Sequence, residues 1–197
     1  SIIKRTHLET SYDSWVTNFG LNLANIWNEN SARNLDPSIN SIKNKTDSAI
    51  VIGAGPSLVT HNHLEILASS NFKGSIICTD RSLVPALKAG ITPEKFPNFF
   101  VATIDTEEKI KNFYQDDIIK KYSNQINGIF TTVTNPLTVD AARKQNIVIH
   151  WIHALFDYEE GKKSFNQISG LMTRAKNHKN GLPAIQTGGN VGTSCWF

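Results

Sequence analysis

Long apolar runs are missing from this chain. Nowhere do about 18 apolar residues follow one another, so a membrane-spanning helix is not expected. The opening residues, SIIKRTHLET, lack the apolar core of a secretory signal. Cysteine is scarce: Cys78 and Cys195 are the only two, too few for a disulfide framework, and Cys78 falls inside an apolar strand pattern as a small core residue. A reducing, cytoplasmic setting is the expectation. Charge of one sign is also lacking: a net charge of +3, scattered along 197 residues, argues against a nucleic-acid groove. The one basic run, Arg174 to Lys179, reads as a solvated helix face. His61 and His63 point apart on a helix and read as surface residues rather than metal ligands.

The chain has ordinary globular content, with 40% hydrophobic and 19% charged residues, and is long enough for one sizeable core. Leu8, Tyr12, Trp15, Val16, Phe19, Leu23 and Ile26 recur at helical spacing and predict an amphipathic helix over 8–27. A short helix and a polar linker follow, so residues 1–46 form an N-terminal helical extension. From residue 47 the pattern changes. Apolar runs at 49–53, 75–80, 99–105, 127–133 and 147–153 read as buried parallel strands, with 182–186 as one more. Helices are expected near 57–69, 82–89, 107–121 and 137–145, with Gly90 and Thr92-Pro93 as a helix stop. The expected fold is an open, doubly wound, mainly parallel α/β sheet, Rossmann-like. The chain stops at SCWF as an apolar helix begins, which leads us to expect a fragment of a longer protein, truncated at its C-terminus.

Polar residues gather where these strands end. Gly53, Gly55, Pro56 and Ser57 follow the first strand: two glycines allow a tight turn and close approach of backbone N–H groups to an anion, and Ser57 suits a helix cap or a phosphate donor. Leu58 stands where the dinucleotide fingerprint has its third glycine, which counts against an NAD(P)- or FAD-dependent oxidoreductase. Asp80 ends the second strand, about 25 residues after Gly55, placed to contact ribose hydroxyls or to cap a helix; Arg81 beside it can pair with phosphate or with Asp80. Asp105 either caps the next helix or holds Mg²⁺ together with substrate phosphates. Asn135 ends the fourth strand. His153, with Asp157 nearby, is a candidate general base, although a structural histidine is the favoured reading there. Thr187, Gly188, Gly189 and Asn190 form a second glycine turn. Two such turns at one sheet edge suggest a ligand with separated phosphates.

RNL (33–35), VIGAGPSL, CTDRSLVPALKAGITP, FFVATID and QTGGNVGTS, in that order, resemble the domain shared by archaeal 6-hydroxymethylpterin diphosphokinases (MptE-like) and motility accessory factor (Maf) proteins. The resemblance runs from about residue 30 to the end. It implies a Rossmann-like nucleotide transferase: diphosphate transfer from ATP with Mg²⁺ in the pterin branch, or glycosyl transfer from a CMP-activated sugar in the Maf branch. Carried over by position, Gly53, Gly55, Pro56 and Ser57 would cradle donor phosphates, and Asp80 would contact the nucleoside. Asp105 would lie near the reacting phosphate or a metal, and Gly188, Gly189 and Asn190 would close the site. HALFDY (153–158) departs from an H-G-D-N-like stretch, keeping only His153 and Asp157, and this tilts the implied chemistry toward glycosyl transfer to a small molecule, glycan or protein. A non-catalytic nucleotide-binding module is a further alternative.

Overall fold

The structure is a computed structural model that describes residues 2–35, 48–155, 164–174, 178–186 and 191–195, with side chains from Tyr12 onward, Val59 excepted. The N-terminal stripe forms α1 (Ile2–Asn28), longer at its start than the periodicity indicates. It leads into β1 (Asn30–Ser31) and a short 3₁₀ turn (Ala32–Leu35). The central strands are β2 (Ala49–Ile52), β3 (Ser75–Thr79), β4 (Phe99–Thr103), β5 (Asn127–Thr131) and β6 (Val148–Leu155), and β7 (Ala184–Gln186) comes after them. Between them lie α2 (Ser57–Thr60), α3 (His63–Ser69), α4 (Asp80–Lys88), α5 (Ile118–Lys121), α6 (Pro136–Lys144) and α7 (Phe165–Met172); α8 (Val191–Ser194) comes last.

Every pairing in the sheet is parallel, and its order is β1-β6-β5-β4-β3-β2, with β7 also pairing β6. This is the Rossmann-like α/β architecture, with the N-terminal helix in place. From β2 to β6 the order advances without a reversal, so no switch point among these strands marks a ligand crevice, and candidate site residues are those at the strand ends. β1 and β7 share the outer edge of β6: Asn30 pairs His150, and Ala184 pairs His153 farther along.

The two sheet faces differ. Ile76, Cys78, Phe99, Val101, Phe130, Ile149 and Trp151 are buried on one face; Ile77, Phe100, Ile129, Val148 and Ile152 on the other are half-buried. The fully covered face holds three large buried rings, Trp151, Phe99 and Phe130. Each is worth roughly 1.5–3 kcal/mol of hydrophobic transfer. Glu29 fixes the join between α1 and this face, accepting hydrogen bonds from Arg143 Nε (2.7 Å) and Trp151 Nε1 (2.8 Å).

Two expected helices are broken. The 57–69 helix divides at Asn62, which adopts a left-handed φ of 51°, a conformation that asparagine tolerates better than most residues. The 107–121 helix divides into a 3₁₀ segment, Glu108–Tyr114, and the single turn of α5. The stop after α4 has the expected chemistry: Gly90 sits at φ 89°, and Gly90 and Ile91 N–H groups donate to the last helical carbonyls, Leu87 and Ala86. The N-terminal face of α6 is set by Asn135, whose Oδ1 accepts the Leu137 N–H at 3.0 Å, and by Pro136 at its first position.

Candidate nucleotide-binding site at the carboxyl ends of the strands

The turn after β2 is open. Gly55, Pro56 and Ser57 are exposed, and a methyl group built on Gly53 meets nothing within 4 Å. On Gly55 it would meet only Ser57 Oγ, at 3.8 Å. Neither glycine has a positive φ. Neither backbone strain nor crowding by the chain itself therefore calls for glycine here, whereas Gly128 would drive a methyl group into Phe130 and Ile147. Ser57 opens α2 rather than capping it; Pro56 occupies the cap position, with no side-chain hydrogen bond. With α2 only one turn long, the attraction of this turn for an anion rests on its backbone N–H groups and little on a helix dipole. A cavity of about 620 Å³ opens beside the turn, lined by Gly53, Gly55, Ser57, Leu58, Leu64 and Phe72.

Asp80 begins α4 at the end of β3 and is buried, 5% exposed. Its Oδ1 accepts the Arg81 N–H at 2.6 Å, and its buried Oδ2 has no partner. Burial pushes the carboxyl up to about 6, opposed by the Arg81 N–H and reinforced by the charge of Asp105. The two aspartates thus face one electrostatic neighbourhood. Underneath, Ser82 Oγ donates to Ile52 O at 2.5 Å, which ties the start of α4 to the end of β2. Tyr114, fully buried, shares a short hydrogen bond with Thr103 and has its phenol pushed up by burial first and by Asp80 second. Arg81 points outward, its guanidinium 5.3 Å from the Phe113 ring centroid.

Asp105 Oδ1 accepts from the N–H groups of Thr106 (2.9 Å) and Glu107 (3.4 Å), so it caps the turn before the 3₁₀ segment. The backbone on both sides of it is anchored. Thr131 Oγ1 donates to Ile104 O at 3.3 Å, and Asn18 Nδ2 donates to Thr106 O at 3.2 Å. Among the described residues no three His, Cys, Asp or Glu side chains form a metal cluster. A single half-buried carboxylate such as Asp105 could join a divalent ion held mainly by phosphates, the usual mode for Mg²⁺, but could not form an all-protein cage.

His153 lies deeper than its position in the sequence suggests. It is 5% exposed, with Nδ1 3.3 Å from Thr132 Oγ1 and Nε2 3.0 Å from Ser169 Oγ. Both ring nitrogens are occupied, which is the arrangement of a structural histidine. His150 sits on the opposite side of β6 beside Val148 O, with its pKa lowered by burial. His61 and His63 are exposed, with ring centroids 5.4 Å apart across the break between α2 and α3. Thr187, Gly188, Gly189 and Asn190, and likewise Asp157, lie outside the described residues. Just after α8, the Cys195 thiol is pushed up to about 11, first by burial and then by the charge of Asp80. Gln186 lies beside Leu155 on the outer edge of β6.

The strand ends therefore bring together Gly53, Gly55, Ser57, Asp80, Arg81 and Asp105, and the family model for 6-hydroxymethylpterin diphosphokinase MptE-like proteins matches residues 25–197. The chain belongs to the MptE-like family. No curated protein and no solved structure matches it. The MptE-like match begins inside α1, so the family's region includes the end of that helix, β1 and all the strands that carry the site. No helix of the described residues is long and apolar enough to cross a membrane. Asn18 and Asn22, which hold the site loops from α1, were not singled out by the sequence pattern. Their signal was there: two amides, four residues apart, on a stripe otherwise made of Tyr12, Trp15, Phe19, Leu23 and Ile26.

Proposed function

We propose that this MptE-like chain binds a nucleotide or nucleotide-sugar donor at the Gly53–Ser57 turn and serves a transferase that moves a glycosyl or diphosphate group to an acceptor hydroxyl. The observation that carries this reading is the pairing of two glycines that the chain itself does not need with an adjacent buried carboxylate oxygen that has no partner. Donor phosphates would approach the backbone at Gly53 and Gly55, with Ser57 Oγ and the Arg81 guanidinium as donors. A ribose hydroxyl would supply the hydrogen bond that Asp80 Oδ2 lacks; an unsatisfied buried oxygen costs about 1–3 kcal/mol, and ligand binding would recover part of it.

In the transfer step the acceptor oxygen bonds to the transferred group as the bond to the leaving phosphate breaks, and the hydroxyl proton passes to a carboxylate. With both nitrogens of His153 held by hydroxyl groups, that role falls to Asp105 at the rim. Where the donor requires Mg²⁺, Asp105 would instead help the phosphates to hold it, the ion would offset their charge, and the hydroxyl proton would pass to solvent. Most of the acceleration would come from positioning and from stabilising the leaving phosphate.

Two donors are consistent with the site. ATP with Mg²⁺ accords with membership of a diphosphokinase-like family. A CMP-sugar accords with the departure at HALFDY. Titration calorimetry of the protein with CMP and with ATP, each with and without Mg²⁺, tests both. Binding of ATP only with Mg²⁺ supports diphosphate transfer, and metal-independent binding of CMP supports glycosyl transfer. Absence of heat with either nucleotide would overturn the nucleotide reading.

A further inference from the structure

Two asparagines of α1 reach the carboxyl edge of the sheet. Asn18 Nδ2 donates to Thr106 O (3.2 Å) and to Val133 O (3.1 Å). Asn22 Nδ2 donates to Thr132 O (3.2 Å) and to Thr134 O (2.8 Å). Four backbone carbonyls, from the loops after β4 and β5, are thus collected by two side-chain amides more than 80 residues away in sequence. Asn22 is fully buried, and Asn18 is 7% exposed.

Packing alone does not explain these amides. The same stripe of α1 buries Phe19 and Ile26, and a leucine at 18 or 22 would serve helix docking at least as well. Instead the helix carries polar groups, and Asn22 Oδ1 is left buried without a partner. What the amides do is fix loops. Asp105 lies between Ile104, whose carbonyl is held by Thr131 Oγ1, and Thr106, whose carbonyl is held by Asn18. Asp105 is therefore aimed by a bond on each side, and one of them comes from α1. The β5 loop is locked in the same way: Thr134 Oγ1 donates to Thr103 O at 3.2 Å, and Asn22 holds the carbonyls of Thr132 and Thr134 just before Asn135.

We propose that Asn18 and Asn22 are positioning residues: α1 is a working part of the ligand site, acting by holding the Asp105 loop and the Thr132–Asn135 loop in register with each other. This inference rests on the nucleotide reading of the site, and it adds that the N-terminal helix sets ligand affinity without touching the ligand. It also implies that Asn18, which bonds both loops, matters more for the ligand than its own burial indicates.

The test uses the whole chain with Asn18→Leu, Asn22→Leu and the milder Asn18→Ser. Hydrogen exchange by mass spectrometry is read over 103–107 and 131–135, and calorimetry is run with CMP and with ATP plus Mg²⁺. Asn18→Leu is expected to accelerate exchange at least tenfold in both loops, with β2 and β3 unchanged. Nucleotide affinity should fall at least tenfold while circular dichroism and the melting temperature stay near those of the parent. Wild-type exchange in both loops together with wild-type affinity would overturn the proposal, as would exchange raised evenly across the sheet, since that marks a purely structural role. If Asn22→Leu does not fold, Asn18→Leu and Asn18→Ser decide by the same readings. If the parent binds neither nucleotide, the transferase reading fails by itself, and loop-confined exchange still decides whether α1 holds the loops.

Discussion

His153 and Ser169 share a 3.0 Å hydrogen bond between Nε2 and Oγ, and through it β6 is fastened to α7. Ser169 Oγ also donates to Phe165 O at 2.6 Å, so the imidazole closes a buried polar chain that begins at Thr132 Oγ1. Replacing His153 by alanine removes the imidazole partner of Thr132 Oγ1, takes one partner from Ser169 Oγ, and opens a cavity. The expected loss is about 2–4 kcal/mol of unfolding free energy, with nucleotide affinity unchanged within about twofold once the variant is folded. Urea denaturation gives the first number and calorimetry the second. A stable His153→Ala protein with abolished turnover would restore the histidine as a proton acceptor.

Asp80 makes stability depend on pH in a definite direction. Its folded pKa of about 6 lies above the ordinary value of 3.8, so the native state binds a proton that the unfolded chain has already released. Stability is therefore full below about pH 4 as far as this group is concerned, and is lost as pH rises to 6 and beyond. The contribution is on the order of 3 kcal/mol at most. Asp80→Asn is expected to be more stable than the parent at pH 8, by about 1–3 kcal/mol, and to lose the slope between pH 4 and 6. Its nucleotide affinity is expected to fall. Melting temperatures taken across that window check the sign, and a parent that gains stability from pH 4 to 6 relative to Asp80→Asn would contradict it.

The glycine turn allows folding and binding to be separated. A methyl group at Gly53 has open space around it, so Gly53→Ala and Gly55→Ala should unfold within about 1 kcal/mol of the parent. Bulkier Gly55→Val should also fold, yet bind nucleotide at least tenfold more weakly, which corresponds to about 1.4 kcal/mol. Chemical denaturation and calorimetry on the same preparations give both readings.

Gly128 supplies the contrast. On the buried face of β5 a methyl group would run into the Phe130 ring and Ile147, so Gly128→Ala is expected to cost about 1–3 kcal/mol through overpacking. Its nucleotide affinity, measured at a temperature where it remains folded, should match the parent. A neutral Gly128→Ala would mean that β5 shifts freely in the sheet.

The central strands were legible because each is an apolar run long enough to be read without knowing its partners, and all appear within one or two residues of their expected limits. β1 was not legible: Asn30 and Ser31 are polar and pair only because the chain returns beside His150 and Trp151, about 120 residues later. Nor was the break at Asn62, since HNHLEILASS has helical spacing throughout and only a positive φ interrupts it. At the site, Asp105 could be read as a cap from its place before Thr106 and Glu107, whereas the bare oxygen of Asp80 arises from packing and has no signature in the sequence. For His153 the favoured structural reading agrees with the enclosed ring, and only the rival reading as a base did not foresee it. Position along β6 puts it near the edge, and only α7 reveals that its ring is enclosed.

The attachment of α1 also bears on the order of assembly during synthesis. Its hydrogen-bonding partners lie at Thr106 and Thr132–Thr134, and Glu29 waits for Arg143 and Trp151. Within these residues α1 is thus synthesised well before the partners that fix it, and its docking waits until residue 151 has emerged, which leaves its apolar stripe open to non-native contacts in the meantime.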